Sequence, residues 1–457
     1  MLVPLTVIVT WYYWPKPQSQ EDVFVPIDRA TLTEKLNILI WENYIPEDQQ
    51  ANPDGFLNFI YDTIARDYGI DVQVSYFGTN EELYEILSNP KERAKYDVVM
   101  PSNFLVSTLV DDGLLEPIIP GNIPNWDGID GRFRNDHLLQ ELLQYSVPYI
   151  FGVGGIAYNS WHAYEIPLNW GFLLEPGQDL VEIDTERVNY ENLDAEIARR
   201  EAMRARIRFQ LKGRISLIND MRTALGSALI YLGYPPNSEN PDEINQAADL
   251  LIWLVTELDA RVDSTDVSDR LISGETHMAM AWSGDAMVAM NQAISNRKDL
   301  ALDDIDTIRD GQTTLKSTVR DEIPKIRFTS PQPTALAFLD CFAIVRGSSN
   351  ISNAETFINF MLDPVVAGQV TNFSFYGNTV AAGQVTNFSF YGNTVAASKE
   401  FVNRDILNGP PFFLPADDSV ALISPVDEDA IMAYQDAWQR VMLAALEQQN
   451  VSYQYRR

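Results

Sequence analysis

From residue 36 onward the chain alternates short apolar runs with segments of helical period. LNILIW (36–41) is an apolar strand. Residues 53–68 carry Phe56, Phe59, Ile60 and Ile64 on one helical face, and Gly69 is placed to end that helix. DVQVSYF (71–77) alternates as a strand. NEELYEIL (80–87) has a helical period with Asn80 positioned as its cap, and YDVVMPS (96–102) reads as a third strand. This strand–helix order predicts an α/β fold on a parallel sheet with right-handed crossovers.

A second α/β block follows. VPYIFGVGGIAYNS (147–160) is β-rich and punctuated by glycine, and RISLIN (214–219) is a strand running into a helix from Asp220. Residues 241–258 have a helical period. THMAMAW (276–282) and ALAFLDCFAIV (335–345) are strands, and a long helix covers 427–448. Two segments look like additions. Residues 176–208 are strongly charged and include a helix, 194–208, with Arg199, Arg200, Arg204, Arg206 and Arg208. These arginines either form a docking surface or pair with local acids on a solvated helix. The other addition is a tandem repeat: AGQVTNFSFYGNTVA occupies 367–381 and recurs unchanged at 382–396. One unit of this length, present twice, is not a solenoid, and one copy is expected to be a loop.

Composition narrows the chemistry. The chain has 457 residues, 46% of them hydrophobic, which is enough for a sizeable core and two or three domains. A formal charge of −31 repels nucleic acid and anionic lipid. The one cysteine, Cys341, excludes an internal disulfide and a thiolate metal cluster, and its apolar surroundings predict a buried core residue. His137, His162 and His277 form no zinc-binding spacing, so no metal or other cofactor is expected. The apolar run from Leu2 to Trp14 is too short to span a bilayer, which takes about 20 residues, and fits the core of an export signal. No Lys or Arg precedes it, and no clear cleavage site follows. Residues 15–35 read as a linker.

The informative residues are lone carboxylates within apolar stretches. Asp340 is the only charged residue from Phe328 to Val345, and Asp285 the only one from Met278 to Met290. An unpaired buried carboxylate costs several kcal/mol, so each needs a partner. For Asp340 that partner is a ligand or a buried ion pair. For Asp285 the alternative is a cap, by Asp285 itself or by Ser283, on the helix that follows. Aromatic residues accompany both acids: Trp282 lies three positions before Asp285, and Phe338 shares a strand face with Asp340. WENY (41–44) puts Trp41, Glu42 and Tyr44 at the carboxyl end of the first strand, where ligands of open α/β sheets bind. Aromatic rings with carboxylates suit a diamine or polyamine. Rings cover the methylene chain and meet each ammonium in a cation–π contact of about 0.5–2 kcal/mol, and the acids add charge-assisted hydrogen bonds.

In order and spacing, LNILIWENYIPED, YDVVMPSNFLV, VPYIFGVGGIAYNS, ISLINDMRTALGSALIYLGY, MAMAWSGDAMVAMN, AFLDCFAIV, NFMLDPVVAGQV and FYGNTVAA resemble the periplasmic spermidine/putrescine-binding proteins, most closely the putrescine branch. The resemblance covers about residues 36–450. It implies a two-lobed periplasmic-binding-protein fold of type II with a ligand cleft between lobes. One lobe would be 36–146 with about 338–396, the other 147–337 with about 397–457. It implies a monomeric, extracytoplasmic subunit that is not an enzyme and delivers polyamine to the permease of an ABC importer. Ligand contacts carried over are Trp41, Tyr44, Ser102, Phe104, Asp220, Trp282, Asp285, Phe338, Asp340 and Tyr376 or its duplicate Tyr391. Glu42 stands one place from the family's acid. Thr223 stands where the family has a further acid, which leaves Asp220 the role of a helix cap.

Three other readings compete. A glycoside hydrolase would use Asp285 and Asp340 as its acid and base. A sensor-coupled binder would keep the site without transport. A binder of another cationic solute would keep the acids, whereas an anion site would want arginines and helix N-termini. GVGG (152–155) lacks the full dinucleotide fingerprint.

Overall fold

The structure is a computed structural model and describes residues 31–41, 56–134, 139–163, 169–178, 193–262, 266–295, 305–309, 312–315, 326–364, 366–367, 392–393 and 420–455. Its strands are β1 (Lys35–Trp41), β2 (Asp71–Phe77), β3 (Val98–Val99), β4 (Leu115–Glu116), β5 (Ser146–Asn159), β6 (Ile215–Leu217), β7 (Arg261–Val262), β8 (Met278–Trp282), β9 (Ile305–Arg309), β10 (Gln312–Leu315), β11 (Ile326–Thr329), β12 (Ala335–Val345), β13 (Gly392–Asn393) and β14 (Val420–Leu422). The longer helices are α1 (Phe56–Tyr68), α2 (Asn80–Ser88), α3 (Asn103–Asp111), α4 (Leu193–Leu211), α5 (Met221–Tyr231), α6 (Pro241–Leu258), α7 (Val267–Ser273), α8 (Ser283–Ser295), α9 (Ile351–Met361) and α10 (Glu428–Tyr455). The chain divides into two units, each assembled from three segments. Unit 1 is Met1–Gly152, Ala301–Lys316 and Phe338–Leu414; unit 2 is Val153–Leu300, Ser317–Ala337 and Pro415–Arg457.

Unit 1 is built on the first strand–helix repeats. β1 pairs in parallel with β2 on one side and β3 on the other, and β12 lies antiparallel to β3. Leu36, Ile38, Leu39 and Ile40 of β1 are all buried, as expected for a strand covered on both faces. Burial of each such side chain stabilises the unit by about 1.5–3 kcal/mol. Gly69, at φ +72°, ends α1 in the left-handed conformation that glycine adopts without strain. α2 differs from expectation at its start. Thr79 is the cap, its hydroxyl accepting from the Glu82 N–H at 3.1 Å, because the Asn80 side chain is engaged elsewhere. The expected strand over 96–102 shrinks to Val98–Val99, since Pro101 interrupts it and Ser102 starts the turn into α3. Within the tandem repeat, Gly392–Asn393 of the second copy forms β13, antiparallel to Phe151 and Ile150 of β5. Apart from these two residues and Ala367, both copies lie outside the described residues.

In unit 2, β8 runs antiparallel to the second half of β5 and parallel to β6, which pairs in parallel with β7. β11 is antiparallel to β5, and β14 parallel to the start of β12. GVGG is a close-approach device rather than a nucleotide loop. A Cβ on Gly155 would fall 2.5 Å from both the Phe328 ring and the Thr329 carbonyl oxygen. α6 starts at Asn240, whose side chain accepts from the Asp242 N–H, and carries Ile244, Ala247, Leu251, Leu254 and Leu258 on its buried face. α10 packs against α6 and extends to Tyr455, past the expected end at 448. α4 shows the local-pairing arrangement of the two expected for its arginines. Arg199 and Arg200 bind Glu196, while Arg204 and Arg208 reach Glu175 at 2.8 and 3.5 Å. Such partly exposed pairs contribute about 0–1 kcal/mol each.

Candidate ligand site

In unit 1 the expected residues gather at the carboxyl ends of parallel strands. Trp41 ends β1 and packs on Phe77, the last residue of β2, with ring centroids 4.5 Å apart. Among the described residues its buried Nε1 has no hydrogen-bond partner. Just past β3, Ser102 occupies the cap position of α3, but its side chain makes no capping bond. The Ser102 Oγ instead donates to Asp340 Oδ1 at 2.6 Å. The two residues also form an isolated antiparallel bridge, and the Cys341 N–H reaches the Pro101 carbonyl at 2.9 Å. Asp340 is 2% exposed and Phe338 6%, and Phe104 is half-buried in the first turn of α3. The acid in mid-β12 therefore has Ser102 as a hydrogen-bonded side-chain partner.

Two asparagines complete this cluster. Asn80 Nδ2 donates to Ser102 Oγ at 3.1 Å, and its Oδ1 accepts from the Ser102 N–H at 3.2 Å. Asn103 Oδ1 accepts from the Leu339 N–H at 3.2 Å. Sequence reading missed both roles. The usable signal was a buried-type asparagine at each of two helix starts that follow a strand. Burial and the neighbouring Asp340 charge push the Cys341 thiol well above its ordinary range.

In unit 2 the expected residues again follow parallel strands. Asp220 comes after β6 and caps α5, its carboxylate accepting from the Thr223 N–H at 2.8 Å. Asp220 thus has the capping role that the departure at Thr223 suggested. Arg222 beside it is 5% exposed, donates to Asn237 Oδ1 and the Ser424 carbonyl at 2.9 Å, and sits 4.7 Å over the Tyr434 ring. Trp282 ends β8 opposite Gly154 of β5. Asp285 follows in the first turn of α8, where a carboxylate is favoured by the helix dipole. Neither expected cap precedes α8: Ser283 and Asp285 both lie inside it, and Ser283 Oγ accepts from the Val153 N–H at 3.3 Å. Glu42, Tyr44, Tyr376 and Tyr391 lie outside the described residues.

His162 and His277 stand apart from these clusters, and His137 lies outside the described residues. His162 and His277 stack with ring centroids 4.6 Å apart and planes at 11°, and among the described residues the buried His277 Nδ1 has no partner. Burial, then His162 and Arg214, lower the His277 pKa to about 4. Among the described residues no group of three or more His, Cys, Asp or Glu is placed to hold a metal ion. Nor is any helix among them long and apolar enough to cross a membrane.

The profile of one family, described as bacterial extracellular solute-binding protein, matches residues 60–382, more than half of the chain. The chain belongs to this family. Similar solute-binding proteins include the putrescine-binding periplasmic protein PotF of Escherichia coli, 24% identical over 357 residues that span 75% of this chain and 77% of the relative. The spermidine/putrescine-binding periplasmic protein 1 of Haemophilus influenzae is 23% identical over 343 residues, 75% of this chain and 74% of the relative. Among solved structures, the spermidine/putrescine transporter substrate-binding protein PotD of Streptococcus pneumoniae superposes with a TM-score of 0.60 at 20% identity, covering 90% of this chain and 100% of that one. The TpPotD lipoprotein of Treponema pallidum gives 0.60 at 22% identity, over 89% and 99%. The fold is therefore that of the solute-binding subunits of ABC importers, as the resemblance implied; the strand–helix order predicted a parallel sheet, whereas β12 runs antiparallel to β3 and β8 antiparallel to β5.

Proposed function

We propose that this solute-binding protein captures putrescine- or spermidine-type polyamines outside the cytoplasm and delivers them to the permease of an ABC importer. One observation carries the reading: a carboxylate, Asp340, is held by Ser102 at 2.6 Å in an apolar strand beside the carboxyl ends of β1 and β3. The relatives named above for putrescine and spermidine support it. Within unit 1, Asp340 offers negative charge for an ammonium group, with Trp41 and Phe338 as ring faces; within unit 2, Asp285 and Trp282 offer the same pair of groups. Thr223 brings no charge, so unit 2 offers fewer acids to a triamine. The activity is capture without covalent change.

Calorimetric titration of the chain with putrescine, spermidine, cadaverine and arginine tests this. Micromolar or tighter binding of a polyamine, with the recovered ligand chemically unchanged, is the expected result. Binding of arginine alone points to another cationic solute, and no heat with any of the four removes the proposal. Uptake of labelled polyamine, lost on deletion of the gene and restored by its return, tests the transport step.

A further inference from the structure

Gly154 lies opposite Trp282 in the antiparallel pairing of β5 and β8. A Cβ built on Gly154 would stand 3.2 Å from the Trp282 ring atom Cζ3 and 3.2 Å from the Thr223 Cγ2 methyl. The indole edge and the methyl therefore close on the same bare α-carbon from two elements, β8 and α5. Thr223 is fully buried, and among the described residues its Oγ1 has no hydrogen-bond partner. A buried hydroxyl without a partner is a cost, so Thr223 is not placed there to satisfy its own polar atom. Its methyl faces the same space over Gly154 that the indole edge faces. The α5 end of this arrangement is fixed, because Asp220 holds the Thr223 N–H at 2.8 Å and Arg222 is pinned by Asn237 and Ser424.

We propose that Gly154 and Thr223 are positioning residues for Trp282, forming the seat that fixes the plane of the indole. The inference rests on the polyamine reading for its consequence, since a ring face meets an ammonium well only at a set orientation. It does not rest on that reading for the geometry. A Cβ at Gly154 makes the indole edge or the Thr223 methyl give way by a few tenths of an ångström, and a smaller residue at position 223 makes room again.

The test is a double-mutant cycle of Gly154→Ala and Thr223→Ser, read in two ways. The first readout is emission and acrylamide quenching of the ligand-free chain, with the Trp282 contribution isolated by subtracting the same variants in a Trp282→Phe background. The second is putrescine affinity. Gly154→Ala is expected to shift the Trp282 emission, raise its quenching and weaken putrescine binding roughly tenfold, as overpacking by one methyl group does. Adding Thr223→Ser is expected to return emission and affinity most of the way, a coupling that general loss of stability does not produce. Unchanged emission in Gly154→Ala, or no rescue in the double variant, overturns the proposal. If Gly154→Ala does not fold, Thr223→Ser alone decides, since loss of the methyl must raise quenching of the Trp282 component and unchanged quenching overturns the seat. If the parent chain binds no putrescine, the polyamine reading fails, while the emission readout still decides the seat.

Discussion

Ser102 and Asp340 are 238 residues apart in the chain and 2.6 Å apart in space, hydroxyl to carboxylate. That bond joins the turn after β3 to the middle of β12, and Asn80 braces it from the start of α2. A hydrogen bond to a charged group contributes about 1.5–3 kcal/mol. Ser102→Ala is therefore expected to lower unfolding free energy by about that amount in urea titrations. Asp340→Asn keeps the shape and removes the charge. It is expected to weaken putrescine binding by about 2–5 kcal/mol in calorimetry, the cost of losing one partner of a buried charge pair. Parental affinity in Asp340→Asn would remove Asp340 from the site.

Asp220 is expected to act on stability more than on ligand. Asp220→Ala leaves the Thr223 N–H without its acceptor and should cost about 0.5–2 kcal/mol, whereas Asp220→Asn, which can still accept that bond, should cost much less. Thermal melts of the two variants check this. Equal losses in both would show that the charge, and not the cap, is what matters.

The stacked histidines give unit 2 a pH dependence of definite sign. An unfolded histidine titrates near 6.5, whereas His277 in its stack titrates at about 4. Between those values the unfolded chain binds more protons than the folded one, so stability falls as pH is lowered from about 6.5 to about 4 and levels off below. Because His277 is only half-buried, solvent screening limits the effect to about 1 kcal/mol. His277→Gln is expected to flatten melting temperature against pH across this window. An unchanged slope would assign the acid sensitivity to other groups.

Cys341 is 2% exposed, and burial raises its thiol pKa. It is expected to resist alkylation by iodoacetamide at pH 8 in the folded protein and to react fully in denaturant. Labelling at comparable rates in both states would contradict its burial in β12.

Local pattern carried much of the fold and less of the candidate site. ALAFLDCFAIV became β12 over its whole length, since eleven buried positions in a row need no partner information to be read as a strand. The period of 241–258 gave α6 with the same bounds, because proline and asparagine mark its start and one face is apolar. Where a side chain works at long range, local reading failed. Asn80 looks like a cap until Ser102 claims its amide, and Thr79 takes the cap instead. Asp340 was conspicuous as a lone charge, but nothing near it in sequence points to Ser102. Gly154 reads as part of a weak nucleotide motif, and only the pairing with Trp282 shows why a side chain is crowded there.

The antiparallel pairing of β3 with β12 also bears on how the protein is made. Val98 and Val99 are fully buried, and β12 covers them from the far end of the chain. At about 5–20 residues per second, the 238-residue step from Ser102 to Asp340 takes on the order of 10–50 s to synthesise. Throughout that interval the amino-terminal segment lacks the strand that closes its sheet. Until β12 is made, Val98 and Val99 lack the antiparallel partner that the finished fold gives them.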